Sequence, residues 1–236
     1  MCTPCKTVPG EKVHLDQMQS AQPGLVPQMD GRHTKDRITS ATVFLDDHSS
    51  HSYSHLQTST GGDETLTAKH AYDIMSQSYG INIKSFHADN GFFVEKLFRD
   101  DVTISNQTII FCGVGAYHQN GYVENHIDRL TRGSRTLLLA AQRRWPEAIG
   151  EILWPFAWKD YERCYNELSI HPNGLTPIEN FLPLQESLLS VIIIHGDVLF
   201  IFWMRNYNLP IQKYLSGTLG PDLAFIWVDH PVMLAC

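Results

Sequence analysis

Residues 115–144 read GAYHQNGYVENHIDRLTRGSRTLLLAAQRR. A polar, glycine-containing segment, Gly115–Gly121, gives way there to the longest helical pattern in the chain. Val123, Ile127, Leu130, Ser134, Leu137, Leu138 and Ala141 recur at spacings of three and four, as on a helix face turned to a core. Glu124 falls in the first turn of that helix. A long helix with one apolar stripe needs a broad surface to lie on, and the flanking segments say what that surface is.

Upstream, apolar runs with strand character alternate with helical ones. Thr108–Val114 reads as a buried strand and Phe92–Phe98 as a short helix. Ile81–Phe86 reads as an apolar strand that ends before Asp89-Asn90-Gly91. From Glu64 to Tyr79 the period is helical: Leu66, Ala71, Ile74, Met75 and Tyr79 fall near one face, acids occupy the first turn, and Gly80 is the stop. Ser40–Leu45 and Ser52–Gln57 flank the polar Asp46–His51 and predict a hairpin. Lys12–Met18 predicts a short strand, and residues 19–37, rich in glycine, proline and polar groups, a long loop. Downstream, Trp154–Leu168 predicts a helix that stops before His171-Pro172-Asn173-Gly174. This order of elements belongs to a mixed α/β sheet with helices packed on it.

The chain has 236 residues, 43% hydrophobic and 18% charged, which suits one large folded domain with a small appendage and excludes a disordered chain. Its net charge is −7, so any contact with nucleic acid has to come from a local basic surface. The cysteines (Cys2, Cys5, Cys112, Cys164 and Cys236) are odd in number and scattered, which argues against a secreted disulfide framework and for an intracellular compartment. The most apolar run, Leu188–Met204, is interrupted by His195-Gly196-Asp197 and is too short and polar to span a bilayer. It reads as two strands joined by a turn.

Three acids stand out by position: Asp16 on the first strand, Asp89 just past the end of a later one, and Glu124 at the start of the long helix. Carboxylates so placed can converge at one edge of a mixed sheet. As bare anions they would raise one another's pKa. Hard divalent cations such as Mg²⁺ prefer oxygen ligands and relieve that conflict, and a pair of them serves in-line phosphoryl displacement. Spacing alone leaves the choice open, since three acids can be picked from any chain with 25 of them.

A resemblance narrows it. Gly10-Glu-Lys-Val-His-Leu-Asp16-Gln-Met, Val43-Phe-Leu-Asp-Asp-His48, Ser85-Phe-His-Ala-Asp89-Asn-Gly91, Gly115-Ala-Tyr-His-Gln-Asn-Gly-Tyr-Val-Glu124 and Gly174-Leu-Thr-Pro-Ile-Glu-Asn-Phe181 stand in that order, with 34 residues between Asp89 and Glu124. Together they resemble the integrase catalytic core of copia-type LTR retrotransposons, within the retroviral integrase-like superfamily. The resemblance implies an RNase H-like fold and a metal site of Asp16, Asp89 and Glu124 holding two Mg²⁺ or Mn²⁺ ions. It also implies attack of a DNA 3′-hydroxyl on target DNA by an oligomeric enzyme acting in the nucleus, with no membrane role. Residues 10–182 would be the core. Residues 1–9, with Cys2-Thr-Pro-Cys5-Lys, resemble the last part of a zinc-binding module; without its histidines no zinc site is expected. Residues 183–236 loosely resemble the small β-rich extension that follows such cores, cut short.

Departures from the family pattern bear on activity. Asn125 stands where the family has Arg, and Asp128 where a basic residue is frequent one turn beyond the catalytic Glu. Arg129, Arg132, Arg135, Arg143 and Arg144 leave residues 123–144 with a local balance of +3. Of these, Arg129 and Arg132 are the expected phosphate contacts. Gly133 in mid-helix costs about 1 kcal/mol against Ala. These features suit a decayed copy as well as an active one. Gln119 and Asn120, with His118, fit DNA contact or an ordinary polar loop equally. Asp46-Asp47-His48 reads as a turn, His87 as a strand-end neighbour of the acids, and Cys112 as a buried small hydrophobe. Trp145, Trp154, Trp158 and Trp203 read as core residues. An RNase H-like nuclease that uses water alone is the alternative enzyme.

Overall fold

Thirteen consecutive residues, Val13–Leu25, form the first and central strand, β1. It pairs antiparallel with β2 (Arg37–Asp46), which pairs antiparallel with β3 (Ser52–Gln57). On its other side β1 runs parallel to β4 (Ser85–Ala88), and β4 parallel to β5 (Thr108–Phe111). The sheet order is β3-β2-β1-β4-β5. The helices are α1 (Gly62–Ser78), α2 (Lys96–Ile104), α3 (Gly121–Arg144), α4 (Trp154–Leu168) and α5 (Pro177–Phe181). This computed structural model describes residues 8–27, 34–89, 91–113 and 120–182, with the side chain of Phe92 left out. All of them but Pro27 belong to one compact unit. Met1–Thr7 and residues 183–236, including the expected zinc-module remnant, β-rich extension and Trp203, lie outside the described residues.

Strand alternation sorts the side chains into two cores. Val13 and Leu15 of β1, Phe44 of β2, and Phe86 and Ala88 of β4 pack with Ala68 and Tyr72 of α1 and Phe98 and Val102 of α2. On the opposite face Val43 and Leu45 meet Val123 and Leu130 of α3 and Trp158 of α4, with Met18 of β1 beside them. The even-numbered residues of β1 and the odd-numbered residues of β4 therefore face α3. Fully burying side chains such as Phe44 and Leu45 contributes about 1.5–3 kcal/mol each, which makes this partition strongly preferred over a slipped register.

The expected mixed sheet with flanking helices is present, with local differences. Residues 19–37 are not one loop, because β1 continues to Leu25 through a register shift between Gln19 and Gly24. Its second half is held by main-chain pairing and by α4: Trp154 Nε1 donates to Gln22 O at 2.8 Å, and a Cβ on Gly24 would strike Pro155. No apolar alternation records such contacts in the sequence.

In α1 the buried face is Thr65, Ala68, Lys69, Tyr72 and Ser76, and Ile74 is 68% exposed. The expected stripe through Leu66, Ala71 and Ile74 is displaced because Lys69 is neutralised inside, by Asp73 at 2.8 Å and Asp101 at 2.7 Å. The strand expected at Ile81–Phe86 starts at Ser85; Ile81 and Ile83 fill the core from a connecting segment. The helix expected at Phe92–Phe98 is a 3-10 turn, Phe92–Val94, followed by α2. β5 is an edge strand with Ile110 54% exposed, so Thr108–Phe111 is not the buried strand expected at Thr108–Val114, of which Val114 lies outside the described residues. Helix α5 went unread although Thr176 and Glu179 close a capping box on it.

Candidate active site

The register of the parallel strands builds the site. Leu15 of β1 stands opposite Ala88 of β4, and Ala88 opposite Phe111 of β5. Asp16, Asp89 and Cys112 are the next residues along each strand, and Cys112 N donates to Ala88 O at 2.9 Å. By the alternation above, Asp16 and Asp89 point to the face that α3 covers. Glu124 lies in the first turn of α3, its N–H bonded to Asn120 O at 3.2 Å.

Two neighbouring groups register the three acids together. The Asp16 carboxyl is raised from its ordinary 3.8 to about 6, mainly by burial and further by the charges of Asp89 and Glu124, against a hydrogen bond from Gln17 N. The Cys112 thiol is pushed up as well, by burial first and then by Asp89, Glu124 and Asp16. Asp16, Asp89 and Glu124 thus share one electrostatic neighbourhood. Among the described residues no three His, Cys, Asp or Glu side chains close around a point as a finished ion site would. The donor set still fits a hard divalent cation: all three are carboxylates, and crowded anions are what such a cation relieves.

Two rungs back, His14 and His87 stand opposite each other on the same face, ring edge to ring face at 5.0 Å. His14 Nε2 meets Asp47 Oδ1 at 2.9 Å and His87 Nε2 meets Cys112 Sγ at 3.9 Å. Burial holds both imidazoles below their ordinary pKa, so they are neutral polar packing beneath the acids near neutral pH. Asp46 is the turn residue it resembles: its carboxylate accepts from Gly10 N, Ser49 N and Ser49 Oγ at 2.7–2.8 Å. Cys112 is buried, as expected, yet it borders the acids.

The expected DNA contacts scatter. Gln119 and His118 lie outside the described residues. Asn120 caps α3 with 1% exposure, and among the described residues neither Oδ1 nor Nδ2 has a hydrogen-bond partner. Arg132 lies about 80° around the helix from Glu124 and is clamped by Asp128, Nε to Oδ1 at 3.0 Å and a guanidinium nitrogen to Oδ2 at 2.8 Å. Arg129 is about 140° from Glu124, with its guanidinium 5.4 Å over the Tyr165 ring. Arg135, about 20° from Glu124 three turns along, is the exposed basic residue on the acid's own face. Helical spacing alone identifies it. Tyr122, missed from sequence, bonds Ser50 at 2.6 Å and lies 5.2 Å from His14. Only the fold joins those residues.

The strand order and the helices on both faces define the integrase catalytic-core fold, of the RNase H-like class. The chain is similar to the magnesium-bound integrase catalytic core domain of HTLV-2, at 15% identity and a TM-score of 0.50 over 74% of this chain and 97% of that one. A dimeric form of that domain gives 14% identity and 0.51 over 75% and 99%. The simian T-cell lymphotropic virus intasome, in complex with a PP2A regulatory subunit, gives 13% and 0.53 over 80% and 59%. No protein-family model matches the chain, and no curated protein matches it in sequence.

Proposed function

We propose that this chain is the catalytic core of a DNA-joining enzyme, a polynucleotidyl transferase of the copia-type retrotransposon integrase kind. The observation that carries this reading is the Asp16 carboxyl, raised to about 6 by burial and by the charges of Asp89 and Glu124, on a fold that integrase cores share. Asp16 on β1, Asp89 just past the end of the parallel strand β4, and Glu124, on the covering helix, would hold two Mg²⁺ or Mn²⁺ ions. Bound there, such ions supply charge stabilisation for the attacked phosphate and activate the attacking hydroxyl. The chain's own part is to fix the acids on the central strand β1, at the end of β4 and on α3, and to back them with neutral imidazoles. Magnesium in the HTLV-2 core supports the choice of ion.

The substrates are element DNA ends and target DNA, and the setting is the nucleus. The working form is a homo-oligomer, in line with the dimeric and trimeric forms and the intasome among the similar structures. The test is strand transfer with Mg²⁺ or Mn²⁺ beside an Asp89→Asn control. Joined product from the parent that disappears in the control is the expected result, and equal product from both sinks the proposal. Cleavage of a branched substrate without joining would select the nuclease instead.

One observation favours a catalytically decayed, DNA-binding remnant. Asp128 engages Arg132 with both carboxylate oxygens, one turn along from Glu124, and so removes a cation from the site's border. Gly133 lends that reading no weight, because a Cβ there would fall 2.0 Å from the Tyr161 ring. It is the contact that lets α4 lie against α3.

A further inference from the structure

We infer that Tyr122 is a positioning residue for Glu124: with Ser50, Tyr165 and Arg129 it locks the first turn of α3 to the β2–β3 turn and to α4. This rests on the carboxylate reading above and names what holds its third member in place.

Among the described residues, the first turn of α3 is held in the core by Val123 and at its side by Tyr122. Its cap, Asn120, makes no side-chain capping bond. Glu124 itself is exposed, and Val123 is the residue of that turn in the core. Tyr122 supplies the lateral hold. Its hydroxyl and Ser50 Oγ are 2.6 Å apart, and its ring meets His14, two residues before Asp16 on β1, at 5.2 Å.

Ser50 occupies the left-handed region, φ 58°, within a turn that the Asp46 carboxylate fastens through Ser49. A hydroxyl on a turn so constrained is a fixed point. Tyr165 of α4 packs against α3, its ring 4.7 Å from that of His126. Arg129 lies over the Tyr165 ring. Its placement explains why it faces away from Glu124: it ties α3 to α4.

The experiment uses the full chain and the variants Tyr122→Phe and Arg129→Ala. It reads amide hydrogen exchange of residues 121–125 against 134–144, Mn²⁺ affinity by electron paramagnetic resonance, and DNA affinity against salt. Tyr122→Phe removes one hydroxyl and keeps the ring, so the fold survives. Expected are about fivefold faster exchange in 121–125 and about fivefold weaker Mn²⁺ binding, with 134–144 unchanged. Unchanged exchange in 121–125 overturns the inference. For Arg129→Ala the expected result is the same local exchange and an unchanged salt slope. A slope shallower by about one with unchanged exchange makes Arg129 a phosphate contact and overturns its place in the cluster. If parent and Asp89→Asn bind Mn²⁺ alike, the carboxylate reading fails, while the exchange arm still reports on the clamp.

Discussion

At the carboxyl of Asp16, burial and two like-charged neighbours set stability against function. Its pKa rises from 3.8 to about 6 on folding. A group raised in this direction supports the fold fully below its unfolded value, and the support is lost as pH rises through about 6. By pH 7 the cost approaches about 3 kcal/mol. Asp16→Asn is therefore expected to stabilise the metal-free chain at pH 7 by about 2 kcal/mol in urea unfolding, with little effect at pH 4. An equal loss at both pH values would show that the acids do not crowd one another. The same proton competes with a divalent ion: calorimetric Mg²⁺ affinity should fall about tenfold per unit below pH 6 and level off above it. A flat profile from pH 5 to 7 would remove Asp16 from the ligand set.

Helices α1 and α3 show how an element's fit can reverse a judgement made on its own sequence. Lys69 of α1 is wholly buried between Asp73 and Asp101, joining α1 to α2 and lying 5.8 Å over the Phe86 ring. Lys69→Met keeps the length and leaves Asp73 with Gln107 and Asp101 with His70 as partners but without their shared cation, so a loss of about 3 kcal/mol is expected from chemical denaturation. A neutral outcome would mean that the aspartates reach water unaided. Gly133 looks like a defect by helix propensity, which favours alanine by about 1 kcal/mol. The Tyr161 ring occupies the space an alanine methyl would need. Gly133→Ala is expected to lower stability by about 1–2 kcal/mol, and a rise in melting temperature would show that α4 gives way freely.

For the whole molecule the net charge of −7 sets the terms of any encounter with DNA. Binding has to come from a local patch, fall with salt and respond to charges on the Glu124 face of α3. Asp128→Ala frees Arg132 and removes an anion there. DNA affinity at low salt should rise about tenfold, with a salt slope steeper by about one. Unchanged affinity would place the DNA track off that face of α3.

Much of this was legible in one sequence because some signals are local. The long helix, α4 and the β2–β3 hairpin follow from periodicity and turn chemistry, which act over neighbouring residues. The order of the acids was legible too, and the resemblance that carried them pointed to the fold later defined by the strand order. What tertiary structure alone decided are effects of residues far apart in the chain. The face α1 buries was settled by Asp101, and the true length of β1 by Trp154. The purpose of Gly133 was settled by Tyr161, and the direction of Arg129 by Tyr165. Period and propensity describe a chain's preference for itself. Which buried charge is matched, or which gap a ring fills, depends on partners that only folding brings within a few ångström.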